Sequence, residues 1–446
     1  MAADKPNLVV LLSDDHSQVD CSLYGDPSIP VPNMEKLAAD GIKMTRCFVA
    51  SPSCAPSRAA MLTGLMPARN GAEGNHTFPK PGTHSLIDDL KKAGYETAAF
   101  GKVAHYGHNP DFGFDHVGPE RAPDLAAAVD RYLEGRSSGK PVCVFVGSHD
   151  PHVPWPAKTT FDPAVLKLPP HWIDTPATRR QRADYAQAIR HLDNLIGRMR
   201  KVASERLGDN TLFLHSSDHG AQWPFGKWNL YDYGTRVPLV AAWPGEIAAG
   251  GSSDAMVSWV DLIPTLLEAG GGSAPEKIDG KSFLPVLLGK TQTHRDKIFT
   301  THSGDKNMNV YPIRALRTGE WKLIHNLRPE LAFTTHSDVL RGPKSFWDQW
   351  EEATKSDPKA KALVQRYHVR PEFELYQVSK DPWELENKIA DPEQASRIAE
   401  MKKELDEWMK SQGDTGRIFG KPRRADQPET WREVPKKGAA KEEDEE

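Results

Sequence analysis

Pairs of acidic and imidazole side chains follow two of the apolar segments in this sequence. Asp14 and Asp15 follow the first segment, and Asp218 and His219 follow a later one. Adjacent carboxylates repel each other unless a cation lies between them, and hard oxygen ligands favour calcium or magnesium. Taken singly, Asp14 or Asp218 could equally cap a helix. The two pairs together predict a divalent-cation site, with His219 as its softest ligand.

Two further apolar segments lead into side chains suited to proton transfer or anion binding. One is followed by Lys102 and His105, and the next by His149, Asp150 and His152. A single lysine or histidine is more often a solvated surface charge. If these segments are parallel strands, however, their carboxyl ends meet at one edge of the sheet, where ligands bind. We therefore expect these residues to lie beside the paired aspartates.

Cys54 opens the segment Cys54-Ala55-Pro56-Ser57-Arg58, which leads into a helix predicted over 58–62. The start of a helix offers free backbone N–H groups and the positive end of a dipole, and these stabilise anionic oxygen. A lone cysteine is more often buried and inert. The surrounding motif is what makes Cys54 a candidate nucleophile.

That segment, followed by Leu62-Thr63-Gly64, resembles the modification motif of type I sulfatases, a family with an alkaline-phosphatase-like α/β fold. In that family a maturation enzyme oxidises the cysteine to Cα-formylglycine, and the hydrated aldehyde is the nucleophile. The resemblance implies one bound calcium ion and a sulfated saccharide as the substrate. It extends over most of the chain.

The resemblance also assigns roles to individual residues. The expected calcium ligands are Asp14, Asp15, Cys54, Asp218 and His219. The expected catalytic residues are Cys54, Arg58, Lys102, His105, His152 and Lys227. His149 and Asp150 are the expected substrate-binding residues.

These assignments form a consistent chemical scheme. A sulfate ester is an anion that repels nucleophiles, so a divalent cation with Arg58, Lys102 and Lys227 would neutralise it. His152 would protonate the leaving group, and His105 would accept the proton that is lost when sulfate departs.

Several segments resemble N-sulfoglucosamine sulfohydrolase, the heparan N-sulfatase: 149–152, 229–231, 311–314 and 323–327. An O-sulfatase of another polysaccharide or glycosaminoglycan stays open, because Lys227 stands where arginine is expected and the Lys102/His105 spacing resembles iduronate sulfatases. From other classes, a phosphatase or phosphonate hydrolase of the same superfamily and a non-catalytic binder of sulfated glycans also stay open. The non-catalytic binder has no need of a cysteine in a modification motif.

The elements that must position these residues follow from hydrophobic patterning. Apolar runs alternate with helical patterns through the first two thirds of the chain, which predicts a large, mostly parallel sheet between helices. Shorter alternating stretches then predict a small antiparallel sheet. We predict a catalytic α/β domain over 1–305, a smaller α+β domain over 306–422 and a charged, solvated tail over 423–446.

Composition limits the remaining function classes. The net charge of −4 gives no reason to expect nucleic-acid binding, and no apolar run is long enough to span a bilayer. Four cysteines cannot form a disulfide scaffold. The expectation is a periplasmic or secreted protein whose export signal is missing from this sequence, with a cytoplasmic protein as the alternative.

Overall fold

The computed structural model describes residues 5–340 and 345–433. Its strands, in chain order, are β1 Asn7–Ser13, β2 Ile42–Phe48, β3 Glu96–Gly101, β4 His116–Val117, β5 Val142–Gly147, β6 Thr211–Ser217, β7 Arg236–Ala242, β8 Gly251–Ser253, β9 Val257–Ser258, β10 Ile298–His302, β11 Ile313–Arg317, β12 Lys322–Asn326 and β13 Phe373–Tyr376. Its α-helices are α1 Pro32–Ala39, α2 Cys54–Thr63, α3 Pro67–Asn70, α4 Leu86–Lys92, α5 Leu125–Gly135, α6 Pro176–Leu207, α7 Asp232–Thr235, α8 Leu262–Ala269, α9 Leu284–Leu287, α10 His336–Val339, α11 Phe346–Ala353, α12 Pro358–His368 and α13 Ala395–Gln412.

The large sheet has the strand order β4-β3-β5-β1-β6-β7-β2-β8, and β9 also pairs with β2. Only β7 runs against the others, since both of its pairings, with β6 and with β2, are antiparallel. The mixed, mostly parallel sheet predicted from the sequence is therefore confirmed. β1 lies between β5 and β6, so the three strands that carry most of the candidate residues are neighbours.

Both faces of this sheet are buried, which explains the continuous apolar runs of its strands. Alternate residues of β1 contribute to different cores: Val9 and Leu11 pack with α6 on one face, and Leu8, Val10 and Leu12 pack with α4 and α8 on the other. Helices on both sides leave the strand ends as the accessible edge.

Three elements differ from the sequence-based expectation. Helix α2 begins at Cys54 and not at residue 58, because Pro56 lies in the first turn, where no intrahelical N–H is needed. Hydrophobic patterning predicts a helix over 182–207, but α6 begins at Pro176, where the Thr175 side chain caps it by accepting from the Thr178 N–H. Strand β2 was not predicted, because its apolar residues alternate with Lys, Thr and Arg.

The small sheet is an antiparallel meander of β10, β11, β12 and β13, as predicted. Helix α13 packs on it through Met401 and Leu405, which meet Leu316 and Leu323. Strand β10 belongs to this sheet although it lies before the predicted boundary after residue 305. The domain limits 1–305 and 306–422 stay a prediction.

The predicted solvated tail is ordered in its first part. The carbonyl of Arg423 accepts from the N–H of Ala332, and the ring of Trp431 stacks on His368 with a centroid separation of 4.4 Å. Composition gave no sign of these aromatic and backbone contacts. Residues 434–446, the acidic end of the predicted tail, lie outside the described residues.

None of the helices within 5–340 and 345–433 is both long enough and apolar enough to cross a membrane.

A buried ion cluster joins the small sheet to the segment after β6. Arg317 donates to both carboxylate oxygens of Asp232 at 3.2 and 3.0 Å, and Lys322 lies 2.6 Å from Asp232 and 2.7 Å from Glu384. Burial opposes the charged form of Asp232, but Arg317 and Lys322 hold the pKa of its carboxyl well below the ordinary value. The cluster fixes the position of α7 against β11 and β12.

Substitution Arg317→Ala is expected to lower the free energy of unfolding by about 3 kcal/mol, because it leaves a buried carboxylate without its bidentate partner. Urea denaturation measures the change. Arg328→Ala is the matched control, since Arg328 forms an exposed pair with Glu330 and its loss should cost at most about 0.5 kcal/mol. Equal losses in the two variants would contradict a structural role for the cluster.

Candidate active site

The candidate residues meet at the carboxyl edge of the large sheet. The parallel register places Ser13 beside Ser217 and Leu12 beside Gly147, so β1, β5 and β6 end at the same level. Gly101 of β3 pairs with Gly147 of β5, which brings the next strand end to that level too. The polar residues that follow these strands are therefore neighbours, as the sequence predicted.

Three buried carboxylates form the floor of the site. Asp14, Asp15 and Asp218 are all inaccessible to solvent. Asp15 has a left-handed backbone (φ 71°), which aspartate tolerates, and its N–H donates to Asp218 Oδ1 at 3.1 Å. The turn after β1 and the turn after β6 are thereby tied together.

Cys54 lies above this floor at the first position of α2, and only 2% of its surface is exposed. Its Sγ is 3.5 Å from Asp14 Oδ1 and 3.3 Å from His219 Nε2. The Ser57 hydroxyl donates to the carbonyl of Asp218 at 2.6 Å and anchors the helix start to the sheet edge. The Cys54 thiol is therefore held between the start of α2 and the edge of the large sheet.

Three buried cationic side chains compensate the carboxylates. Arg58 Nε donates to Asp218 Oδ2 at 2.9 Å, Lys102 Nζ lies 2.5 Å from Asp14 Oδ2, and Lys227 Nζ lies 2.8 Å from Asp15 Oδ1. Arg58 also donates to the carbonyl of Lys102. Buried charges require such pairing, because an isolated buried ion costs several kcal/mol.

Close backbone packing places Lys102. A Cβ at Gly147 would lie 2.0 Å from the carbonyl oxygen of Lys102, and Gly101 itself has a φ of +70°. Only glycine fits both positions. The turn after β3 can therefore press against the end of β5 and direct Lys102 toward Cys54, whose Sγ is 3.5 Å from Nζ.

The electrostatics favour an anion at position 54. Burial alone would raise the pKa of the Cys54 thiol, but Lys102 and Lys227 bring it well below its ordinary value. Burial likewise opposes the charged form of His219, yet Asp218 and Cys54 raise its pKa to about 9. The charged side chains of the site therefore stabilise a negatively charged group at position 54.

Four donor groups could hold a metal ion. Ligand atoms of Asp14, Asp15, Cys54 and His219 all lie within 4.8 Å of one another. Ligands on opposite sides of a calcium ion are separated by roughly 5 Å, so the span fits one such ion. Asp218, the fifth predicted ligand, is not part of this group of four, because its Oδ2 is paired with Arg58, although that oxygen lies 3.5 Å from His219 Nε2. The Cys54 sulfur and the His219 nitrogen are the two donors of this group that are softer than the oxygen ligands calcium prefers.

The segment after β5 supplies the wall of the site. His152 is partly exposed, and its Nε2 lies 3.9 Å from Asp15 Oδ2. His149 and Asp150 line an adjoining cavity of about 710 Å³ together with His191 and Arg198. Burial raises the pKa of the Asp150 carboxyl. The structure thus brings His152 to the carboxylate cluster and places His149 and Asp150 in the adjoining cavity.

His105 reaches the site from the turn after β3. It is buried and lies close enough to Cys54 for the two side chains to interact. The ring of Tyr106, the next residue, covers Lys102 with Nζ 4.5 Å from its centroid.

Sequence reasoning missed a polar network beside this turn. His76 Nδ1 is 2.8 Å from His105 Nε2, and Asp305 Oδ2 accepts from Asn75 Nδ2 at 2.8 Å and from Trp228 Nε1 at 3.0 Å. Asn75 Oδ1 also accepts from the N–H of Ala55 at the start of α2. No spacing in the chain links these residues, which come from distant segments. The only local signal was a polar turn after the Leu-Thr-Gly motif.

Comparison with known proteins gives matches over most of the chain. The family model described as Sulfatase matches residues 6–123 and 120–272. The model described as N-sulphoglucosamine sulphohydrolase, C-terminal, matches residues 219–346.

Individual relatives agree with the family models. The chain is 30% identical to an ulvan-active sulfatase of Formosa agariphila, over 92% of this chain and 81% of the relative. It is 27% identical to human N-sulphoglucosamine sulphohydrolase, over 90% of this chain and 89% of the relative. A solved structure in complex with its substrate D-glucosamine-2-N,6-O-disulfate superposes with a TM-score of 0.71 at 22% identity, over 92% of this chain and 99% of that one, which shows the shared fold.

Calcium binding can be tested apart from turnover. Calcium at about 100 times its Kd is expected to stabilise the protein by about 2.7 kcal/mol, and Asp14→Asn should abolish this gain because it removes a charged ligand. Thermal unfolding with and without calcium measures the effect. Asp89→Asn, in an exposed pair with His84, is the control and should respond like the unaltered protein. A full calcium response in Asp14→Asn would exclude Asp14 as a ligand.

Proposed function

This chain belongs to the sulfatase family, and from that premise we propose that it removes the N-sulfate of a glucosamine unit in a heparan-type saccharide. The proposal has residue 54 acting as Cα-formylglycine beside one calcium ion. The more general conclusion, that the protein is a hydrolase of sulfated sugars, follows from membership of the family.

One observation carries the proposed mechanism. Cys54 is the first residue of α2, and its side chain is surrounded by the donor groups of Asp14, Asp15 and His219. Three cations lie on the same side of the sheet, so an anionic substrate and an anionic nucleophile are both stabilised there.

Formylglycine in place of the thiol would provide a hydrated aldehyde, which offers an oxygen nucleophile and a second hydroxyl whose deprotonation releases sulfate. An oxygen at this position also suits calcium better than the sulfur does. Bound calcium would add positive charge next to the sulfate oxygens. We propose that the maturation enzyme of the family carries out the conversion.

The cationic side chains bind and orient the sulfate. Lys102 and Lys227 are each paired with a different aspartate of the site, and Lys102 Nζ lies 3.5 Å from the Cys54 sulfur. Arg58, held by Asp218 and by backbone carbonyls, fixes the start of α2 and so the direction of the side chain at position 54. Their positive charge is already buried before substrate binds, so no reorganisation is needed at the moment of reaction.

The two histidines would handle separate protons. His152 is the partly exposed one, and its Nδ1 lies 2.5 Å from the carbonyl of Val153, so the Nδ1 proton is held there and the imidazolium form would donate its Nε2 proton to the leaving group. His105 is the buried one, placed to accept a proton from residue 54 as sulfate departs. The leaving group therefore departs on the side open to solvent.

An N-sulfate makes a special demand on this site. A glucosamine nitrogen is a poor leaving group unless it is protonated, so an acid within hydrogen-bond reach is required. Asp150 lies two residues before His152, lines the adjoining cavity and could hold the resulting ammonium through a charge-assisted hydrogen bond. The C-terminal model match and the human relative support this substrate.

An O-sulfatase acting on another polysaccharide or glycosaminoglycan is the second candidate. It is favoured by the relative with 30% identity, whose name is ulvan-active sulfatase, and by Lys227 in place of the arginine expected of an N-sulfatase. Family membership argues against a phosphatase, a phosphonate hydrolase or a non-catalytic glycan binder.

Modification of Cys54 is the first test. Co-expression with a formylglycine-generating enzyme should lower the mass of the Cys54 peptide by about 18 Da, because the thiol becomes an aldehyde. Peptide mass spectrometry measures the conversion, and Cys143, buried within β5, is the internal control that should stay unmodified. Full activity in Cys54→Ala, or in protein that carries only the thiol, would contradict the mechanism.

The leaving group can be tested with two substrates. Asp150→Ala and His152→Ala should each lower kcat/KM for N-sulfoglucosamine by about 100-fold or more, yet change hydrolysis of nitrophenyl sulfate by less than about 10-fold, because nitrophenolate leaves without an acid. Asp162→Ala, in the exposed loop that follows, is the control. Sulfate release from a 6-O-sulfated sugar and none from N-sulfoglucosamine would establish the O-sulfatase instead.

A further inference from the structure

We propose that Asp305 and His76 are positioning residues that act through His105, by fixing which of its ring nitrogens carries the proton. The inference rests on the proposed function, in which His105 accepts a proton from residue 54. It adds to the site two residues that lie outside the predicted catalytic and metal sets.

The network begins at Asp305, a buried carboxylate of the segment after β10. Its Oδ2 accepts from Asn75 Nδ2 at 2.8 Å and from the indole N–H of Trp228 at 3.0 Å. Its Oδ1 lies 3.5 Å from His76 Nε2. Two donors on one oxygen hold the carboxylate plane in place, so the other oxygen is directed at His76.

His76 carries a single proton at neutral pH. Burial lowers the pKa of His76 to about 4, against the opposing effect of Asp305. A carboxylate can only accept, so it favours the tautomer with the proton on Nε2. The amide nitrogen of Asn75, 3.4 Å from the same Nε2, has two N–H groups, one of which donates to Asp305. The full negative charge of Asp305 outweighs the second, neutral N–H and keeps the proton on Nε2. Nδ1 of His76 is then an acceptor.

The tautomer of His76 determines the tautomer of His105. His105 Nε2 lies 2.8 Å from His76 Nδ1, so His105 must donate through Nε2. In neutral His105 this leaves a lone pair on Nδ1, a buried nitrogen without a hydrogen-bond partner among the described residues. That nitrogen is available to residue 54, whose side chain interacts with the His105 ring. The opposite tautomer would present N–H and could not accept a proton.

This arrangement resembles the general logic by which a carboxylate orients a catalytic imidazole, with one extra histidine between them. The ring of His76 allows Asp305, which lies between β10 and β11, to act on His105 in the turn after β3. Trp228, the residue after Lys227, also links the network to the segment before α2, since its backbone N–H donates to the carbonyl of Pro52 at 2.7 Å. The network thus joins three loops around residue 54.

The test uses the matured, calcium-loaded protein with His76→Gly and Asp305→Asn. Each variant should lower kcat by about 10- to 100-fold with little change in KM, because substrate binding does not involve this network. Nitrophenyl sulfate should give a burst of nitrophenol followed by slow turnover, since only the second proton transfer is impaired. Added imidazole should restore part of the activity of His76→Gly. His84→Ala, in an exposed histidine–aspartate pair, is the matched control and should behave like the unaltered protein.

A second measurement does not depend on turnover. In protein with 15N-labelled histidine, NMR shifts should show His105 protonated at Nε2 and unprotonated at Nδ1, and Asp305→Asn should reverse or mix this pattern. Unchanged tautomers in Asp305→Asn, a kcat within twofold of the unaltered protein, or a change in KM alone would overturn the inference. An unaltered protein that releases no sulfate would contradict the proposed function instead, and the NMR result would still decide the tautomer.

Discussion

Mutual neutralisation of buried charges is the constraint on which this structure depends. Asp14, Asp15 and Asp218 cannot be buried at the sheet edge without cations, and Arg58, Lys102 and Lys227 cannot be buried there without carboxylates. These six charges balance, and a divalent cation would be offset by a singly charged sulfate ester together with an ionised nucleophile at position 54. The site can therefore accept the metal and the anion as a pair at little electrostatic cost. Either one alone would leave a buried charge.

The backbone of the large sheet brings the opposite charges together. Strands β1, β5 and β6 end at one level, so the turns after them deliver their side chains to a single volume. The small sheet contributes differently. Its first connection supplies Asp305, and the ion cluster of Asp232 with Arg317 and Lys322 holds it against the large sheet. The site is thus assembled from both sheets, although every residue predicted from the sequence lies on the larger one.

The sequence predicted what local patterns encode. Continuous apolar runs identified five strands of the large sheet, the parallel β1, β3, β5 and β6 and the antiparallel β7, and the residues that follow the four parallel strands supply much of the candidate site. It could not predict β2, where Lys43 and Thr45 interrupt the run, or the start of α2, where Pro56 was compatible with the first helical turn. The contact between His76 and Asp305 could not be predicted for a different reason. It depends on how the small sheet packs against the large one, and no local sequence pattern contains that information.

The position of Cys54 at the buried start of a helix also bears on the order of events during biosynthesis. With 2% of the residue exposed, and with Ser57 and Arg58 bonded to the sheet edge, the folded chain offers the thiol to small molecules at most. The active site of an enzyme cannot reach a thiol that is enclosed in this way. On the proposed mechanism, maturation must therefore compete in time with folding, and a chain that folds before it meets the enzyme stays inactive however stable it is.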